Sequence, residues 1–154
     1  ESRSKRFQQA VQDSAGELTL HKEYAERLAE AMRATGREVK LTPSERATGF
    51  ARKMELAGLT VTPGYEVMLL RITTGYGAPS LTSDFRPVVM VEYALRDDQL
   101  KPITWNSVMS NQAGPNYFSY DTLLKENKAA YEGLRQQLFA TVGRVMSKDF
   151  PKQD

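Results

Sequence analysis

Pro87-Val-Val-Met-Val-Glu-Tyr-Ala-Leu-Arg96 is the stretch that decides the fold. It is strand-sized, rich in β-branched and aromatic residues, and followed at once by the turn pair Asp97-Asp98, so it reads as a β-strand. Downstream, Pro102-Ile-Thr-Trp-Asn-Ser-Val-Met109 completes an antiparallel meander with it. Upstream, Glu66-Val-Met-Leu-Leu-Arg-Ile-Thr73 reads as a central strand too. Two longer loops are left over, residues 75–86 and 110–121.

Helices flank this β region on both sides. From about Thr19, Tyr24, Leu28 and Met32 recur every four residues with Ala25 and Ala29 beside them. That spacing predicts an amphipathic helix, which Gly36 ends as a left-handed terminal residue. Val39 and Leu41 alternate with Glu38 and Lys40 and read as a short half-buried strand. Thr42-Pro43-Ser44-Glu45 has capping-box spacing, and Phe50, Met54 and Ala57 supply the apolar face of a second helix ended by Gly58. Gly49 inside that helix costs about 1 kcal/mol relative to alanine. At the end of the chain Leu124, Asn127, Tyr131, Leu134, Leu138, Val142 and Val145 predict one long helix, capped by Ser119 or Asp121, with Pro151 beyond it. The expected architecture is α+β: a two-layer α/β sandwich whose mainly antiparallel sheet is covered by helices, including a long C-terminal one.

The 154 residues suit one domain with a real core, and 40% hydrophobic and 26% charged residues are globular values. Residues 18–150 are read as a single α/β domain. Residues 1–17 are read as a polar leader or tether end, within which Phe7 to Val11 suits a short helix and a strand equally. The chain opens at Glu1, so an upstream segment is expected to have been removed. The net charge is +2, cations and anions are nearly balanced in both halves, and no nucleic-acid partner is expected. No apolar run is long enough to span a bilayer.

There is no cysteine, and His21 is the only histidine. This removes thiol nucleophiles, disulfides, zinc-thiolate sites and multi-histidine metal sites, so no metal and no cofactor are expected. Glu17 and Glu23 could orient His21 beside Ser14, but an exposed histidine in a first helical turn is the favoured reading. Glu92 reads as the wet face of a strand, and Asp97-Asp98 as turn chemistry. Gly75-Tyr76-Gly77 lacks a third glycine and a following helix, and reads as a flexible inter-strand loop rather than a phosphate cradle. Trp105 is assigned to the core or the sheet surface, and Arg46, Arg52 and Lys53 to a solvated helix face. No catalytic residue is assigned and the chain is read as a non-enzyme. The loop aromatics Tyr76, Phe85, Tyr117, Phe118 and Tyr120 are the candidate binding residues, because exposed aromatics on loops favour binding surfaces.

The phrase Leu28-Ala29-Glu30-Ala31-Met32-Arg33-Ala34-Thr35-Gly36, followed by a strand, a meander and a C-terminal helix, resembles the small α/β domains of Gram-negative envelope lipoproteins. The types in view are the TolB amino-terminal-like domain, the curli-secretion lipoprotein and the lipoprotein activators of penicillin-binding proteins. The resemblance covers residues 18–148 in topology and this one phrase in sequence. Two features depart from it: the helix expected over residues 43–57 is longer than a simple connection, and no clear first strand precedes the Tyr24 helix. What the resemblance implies is a periplasmic, outer-membrane-tethered, non-enzymatic module that docks an envelope protein partner. Its only membrane link would be an upstream lipid anchor. A cytoplasmic location is the alternative. The competing functions are a small-ligand or carbohydrate-binding domain, with a pocket between sheet and long helix, and an enzyme using carboxylate or tyrosine chemistry.

Overall fold

The computed structural model describes residues 20–42, 47–78, 80, 82–110 and 117–152. Three strands, β1 (Val67–Gly77), β2 (Arg86–Arg96) and β3 (Pro102–Ser110), form an antiparallel meander in the order β1-β2-β3. Of the two segments expected as central strands, β2 is central and β1 lies at an edge. Register fixes the faces. Ile72 lies opposite Val91, and Val91 opposite Val108. Because side chains alternate along a strand, even-numbered residues of β1 and β3 share one face with odd-numbered residues of β2. That inner face carries Ile72, Val89, Val91, Tyr93, Leu95 and Val108, all buried.

Among the described residues four helices cover it: α1 (Leu20–Ala34), α2 (Tyr120–Lys125), α3 (Asn127–Ala140) and α4 (Val142–Asp149). Helix α1 buries the expected stripe of Tyr24, Leu28 and Met32. It ends in a Schellman motif: the Arg37 amide donates to the Met32 carbonyl and the Gly36 amide to the Arg33 carbonyl, with Gly36 at φ 95°. The expected long C-terminal helix is present as one bent helix from Asn127 to Asp149, α3 followed directly by α4, and the short α2 leads into it, so three segments follow one another. Ser119 caps the first, its Oγ accepting the Thr122 amide. The second break is at Thr141, whose hydroxyl donates to the Leu138 carbonyl at 2.6 Å and so competes with the helix ladder. The buried face is also offset from the expected stripe. Leu123, Ala130, Gly133, Leu134, Leu138, Thr141 and Val145 are buried, while Leu124, Asn127, Tyr131 and Val142 are only partly so. Small residues at 130 and 133 let α3 lie close along β2, a feature that a search for large apolar residues passes over.

Polar bonds tie the layers together. Tyr24 Oη lies 2.8 Å from Thr141 Oγ1 in the core, joining α1 to the bend. Tyr93 on β2 donates to Asp149 at the end of α4, and Asn106 of β3 reaches the same carboxylate oxygen. Arg37 donates to the Pro151 carbonyl at 2.8 Å and lies over the Phe150 ring, binding the end of α1 to the chain beyond α4.

Two further expectations are overturned. Residues 37–42 form no strand; Val39 packs on the core as irregular chain, its carbonyl held by Arg33 at 2.8 Å. The helix expected over residues 43–57 is absent from its described part, residues 47–57; Pro43, Ser44, Glu45 and Arg46 lie outside the described residues. Instead Thr48 and Glu55 form an antiparallel bridge around a 3-10 turn, Ala51–Lys53. Gly49 explains why. It sits at φ 77°, outside helical space, and a Cβ there would stand 2.6 Å from the Lys53 carbonyl oxygen. This segment lies on the outer sheet face, where Ala47 and Met54 bury Leu69 and Ala94. Arg71 pins it, donating to the Gly49 carbonyl at 2.7 Å and stacking on Phe50 at 4.1 Å. Arg96 holds the Met54 carbonyl.

Two tests follow from this packing. Gly49→Ala should cost about 2 kcal/mol or more, from left-handed strain plus the clash with Lys53, read as a lowered urea midpoint. A variant as stable as the parent would contradict the bridged loop. The second concerns pH. Burial, and then the neighbouring Asp149, push the Tyr93 phenol well above its ordinary value of 10.0, and burial raises Tyr76 and Tyr24 as well. The folded state favours neutral phenols, so this contribution is intact below pH 10 and is lost as pH climbs past it. Urea midpoints should decline above pH 10, and less steeply in Tyr93→Phe. Parallel declines would remove Tyr93 from the account.

Candidate functional site

The loop aromatics converge, but mostly on one another. Strand β1 runs on through Gly77, so Gly75-Tyr76-Gly77 is paired strand opposite Val88, Pro87 and Arg86, not a loop. Phe85 and Tyr117 exchange backbone hydrogen bonds of 2.9 and 3.1 Å, stitching the two connections together. The Tyr117 ring meets Tyr76 edge-on at 5.7 Å, and Phe85 tilts against Tyr120 at 6.2 Å. Tyr76 Oη donates to the Ala130 carbonyl at 2.8 Å, and burial raises its phenol strongly, with Tyr117 adding to the effect. Tyr117 itself is 4% exposed. Four of the five candidates therefore form a packed plug between the sheet end and α3, and Phe118 alone of the five stands out, 84% exposed.

The remaining candidates are used locally. His21 Nε2 lies 3.2 Å from the Ile72 carbonyl; a carbonyl only accepts, so Nε2 carries the proton and caps the edge of β1. Ser14 and Glu17 lie outside the described residues. Glu92 is buried rather than wet, on the outer face between Arg71 and Ser107 in register. Asp97 accepts the Gln99 and Lys101 amides within the β2–β3 turn, and Asp98 accepts the Gly64 amide. Between sheet and α3 the space is occupied by Val89, Val91, Tyr93 and Leu138, all fully buried. Among the described residues no group of three His, Asp or Glu could hold a metal ion, and no helix is long and apolar enough to cross a membrane.

A second surface was not foreseen. On β3 the helix-facing positions are Thr104, Asn106, Val108 and Ser110, mostly polar. The outward positions are Ile103, Trp105, Ser107 and Met109, mostly apolar. This is the reverse of what a two-layer fold asks of a strand. Ile103, Trp105 and Met109 are 50%, 50% and 53% exposed. Sequence reading had the signal, since alternation in residues 102–110 is plain. It lacked the register, and a shift of one residue exchanges the faces.

Cations frame this apolar row. The 3-10 turn packed against β2 and β3 brings Arg52 and Lys53, both exposed. Exposed Lys101 stands where the turn enters β3. From α4, Arg144 donates to the Met109 carbonyl at 2.9 Å and Lys148 to the Ser107 carbonyl at 3.2 Å. Of the nearby carboxylates, Asp97, Asp98 and Asp149 accept the bonds already described, Glu92 is buried on the same face opposite Ser107, and Glu55 is exposed.

Tyr117→Ala should cost about 3 kcal/mol, as aromatic truncation in a core does, whereas Phe118→Ala should leave the thermal midpoint unchanged. Equal midpoints for the two variants would mean that the plug is not packed as described. No protein-family model matches the chain, and neither a curated protein nor a solved structure does.

Proposed function

We propose that this chain is a protein-docking module of the bacterial envelope, working through the outward face of β3 and not through a catalytic site. The observation that carries the reading is the inverted strand: three large apolar side chains face away from the core on an edge strand whose inward face, Val108 apart, is polar. Exposed apolar surface of this kind costs solubility unless something covers it, and contiguous aromatic and aliphatic residues in a basic frame are a common composition of partner sites. The envelope setting rests on the Leu28 to Gly36 phrase and its resemblance to outer-membrane-tethered lipoprotein domains. Phe118 is the part of the loop-aromatic expectation kept in this reading, as a second contact point.

The test separates packing from docking. Ser at all three of Ile103, Trp105 and Met109 should lower the thermal midpoint only modestly, because each side chain is about half exposed and gives up only part of its burial. A loss of several kcal/mol would make the row part of the core and end the docking reading. For the setting, the full-length gene product expressed in a Gram-negative host should take up a fatty-acid label and fractionate with the outer membrane. An unlabelled cytoplasmic product would overturn the envelope part alone.

A further inference from the structure

The docking reading of β3 can be taken one step further, to the chemistry of what docks. We infer that β3 takes an extended segment of a partner protein as an added strand, over its first half only, and that the segment combines apolar and acidic side chains.

The first part follows from the backbone. The Ser107 and Met109 carbonyls are reached from α4, and the register with β2 is unbroken from Ser110 back to Thr104. Trp105, Ser107 and Met109 therefore turn their N–H and C=O groups away from β2, toward the open edge, while Ile103 sits in a bulge between the Leu95–Thr104 and Arg96–Pro102 pairs. Over the second half this edge is closed. Lys148 and Arg144 hold the two carbonyls, and the Ser107 amide donates to the Asn106 side chain at 2.9 Å. Blocking an edge with long cationic side chains is a recurrent protection against unwanted pairing. Ahead of Ser107 no such cover exists: among the described residues no side chain bonds the backbone of Trp105. The open groups lie beside the apolar row, so one extended chain could bond the edge and lay alternate side chains against Ile103 and Trp105.

The second part follows from charge. Lys101, Arg52 and Lys53 border the open half, and Arg144 and Lys148 border its far end, so side chains that flank the apolar contacts meet a positive field. A second copy of this chain is disfavoured, because pairing β3 with itself would bring these cations together. An anionic bilayer matches the charge, yet pressing Ile103 and Trp105 into lipid would leave the edge amide and carbonyl of Trp105 without hydrogen-bond partners.

Trp105, the chain's one tryptophan, reports on the site directly. Titrate the full chain with a synthetic peptide of about seven residues, Glu-Thr-Val-Thr-Val-Thr-Glu, whose Glu and Val side chains share one strand face, and with its Lys-for-Glu counterpart. The acidic peptide should shift Trp105 emission to the blue, saturably, and protect the Trp105 amide from hydrogen exchange while leaving the Ser107 amide unchanged. Lys53→Glu with Lys101→Glu should weaken it by about tenfold, and the Lys peptide should not bind. Equal binding of both peptides, or a blue shift without amide protection, would overturn the inference. So would sedimentation showing a dimer that Trp105→Ser dissolves, or a blue shift with phosphatidylglycerol vesicles and none with the peptide. Photo-cross-linking from Trp105 in cells distinguishes this failure from the failure of the docking reading. A discrete protein adduct without peptide binding removes the strand-addition chemistry alone, whereas no adduct removes both.

Discussion

The Thr141 hydroxyl is the constraint on which the helical layer depends. It takes the Leu138 carbonyl, which bends the C-terminal helix, and it meets Tyr24 Oη, which fixes α1 beside the bend. Both groups are buried, so neither bond can be exchanged for water without leaving an unsatisfied atom, a loss of about 1–3 kcal/mol. The bend has a purpose in the packing. It lets α3 follow β2 while α4 turns toward β3, bringing Asp149 to Tyr93 and Asn106 and setting Arg144 and Lys148 on the β3 edge. One side-chain hydroxyl thus links the core to the surface proposed for docking.

The two faces of the sheet are covered by different means. The inner face is closed by regular helices with apolar stripes. The outer face is closed only in part, by a bridged irregular segment held down by Arg71 and Arg96. A guanidinium can do this because its planar fork reaches backbone carbonyls while its face stacks on an aromatic ring, here Phe50. What that segment leaves bare is the outward row of β3.

Strands and terminal helices were legible because their periodicity is local. The three strands fall within a few residues of where β-branched runs and turn signals put them, and Gly36 stops α1 as expected. The failures are equally physical. Residues 47–57 have helical spacing at Phe50, Met54 and Ala57, yet Gly49 sits in left-handed space and ends the pattern. In the C-terminal helix the close contact is made by Ala130 and Gly133, which no hydrophobic scan ranks highly. Of the candidate site, the spatial convergence of Tyr76, Phe85, Tyr117 and Tyr120 could be guessed, but not that their rings would be used on each other. The outward row of β3 depended on register, which sequence alone does not carry.

The long reach of the Tyr24–Thr141 pairing has a consequence for biosynthesis. The meander is made of neighbours in sequence and can pair as soon as β3 has emerged, since such local contacts form early. Helix α1 is synthesised before the sheet, but its partners in the bend come almost last. Until residues 127–149 leave the ribosome, the inner sheet face with Val89, Val91 and Tyr93 has only half its cover. The nascent chain therefore passes through a stage in which both sheet faces expose apolar surface at once, the interval in which a holdase would act on it.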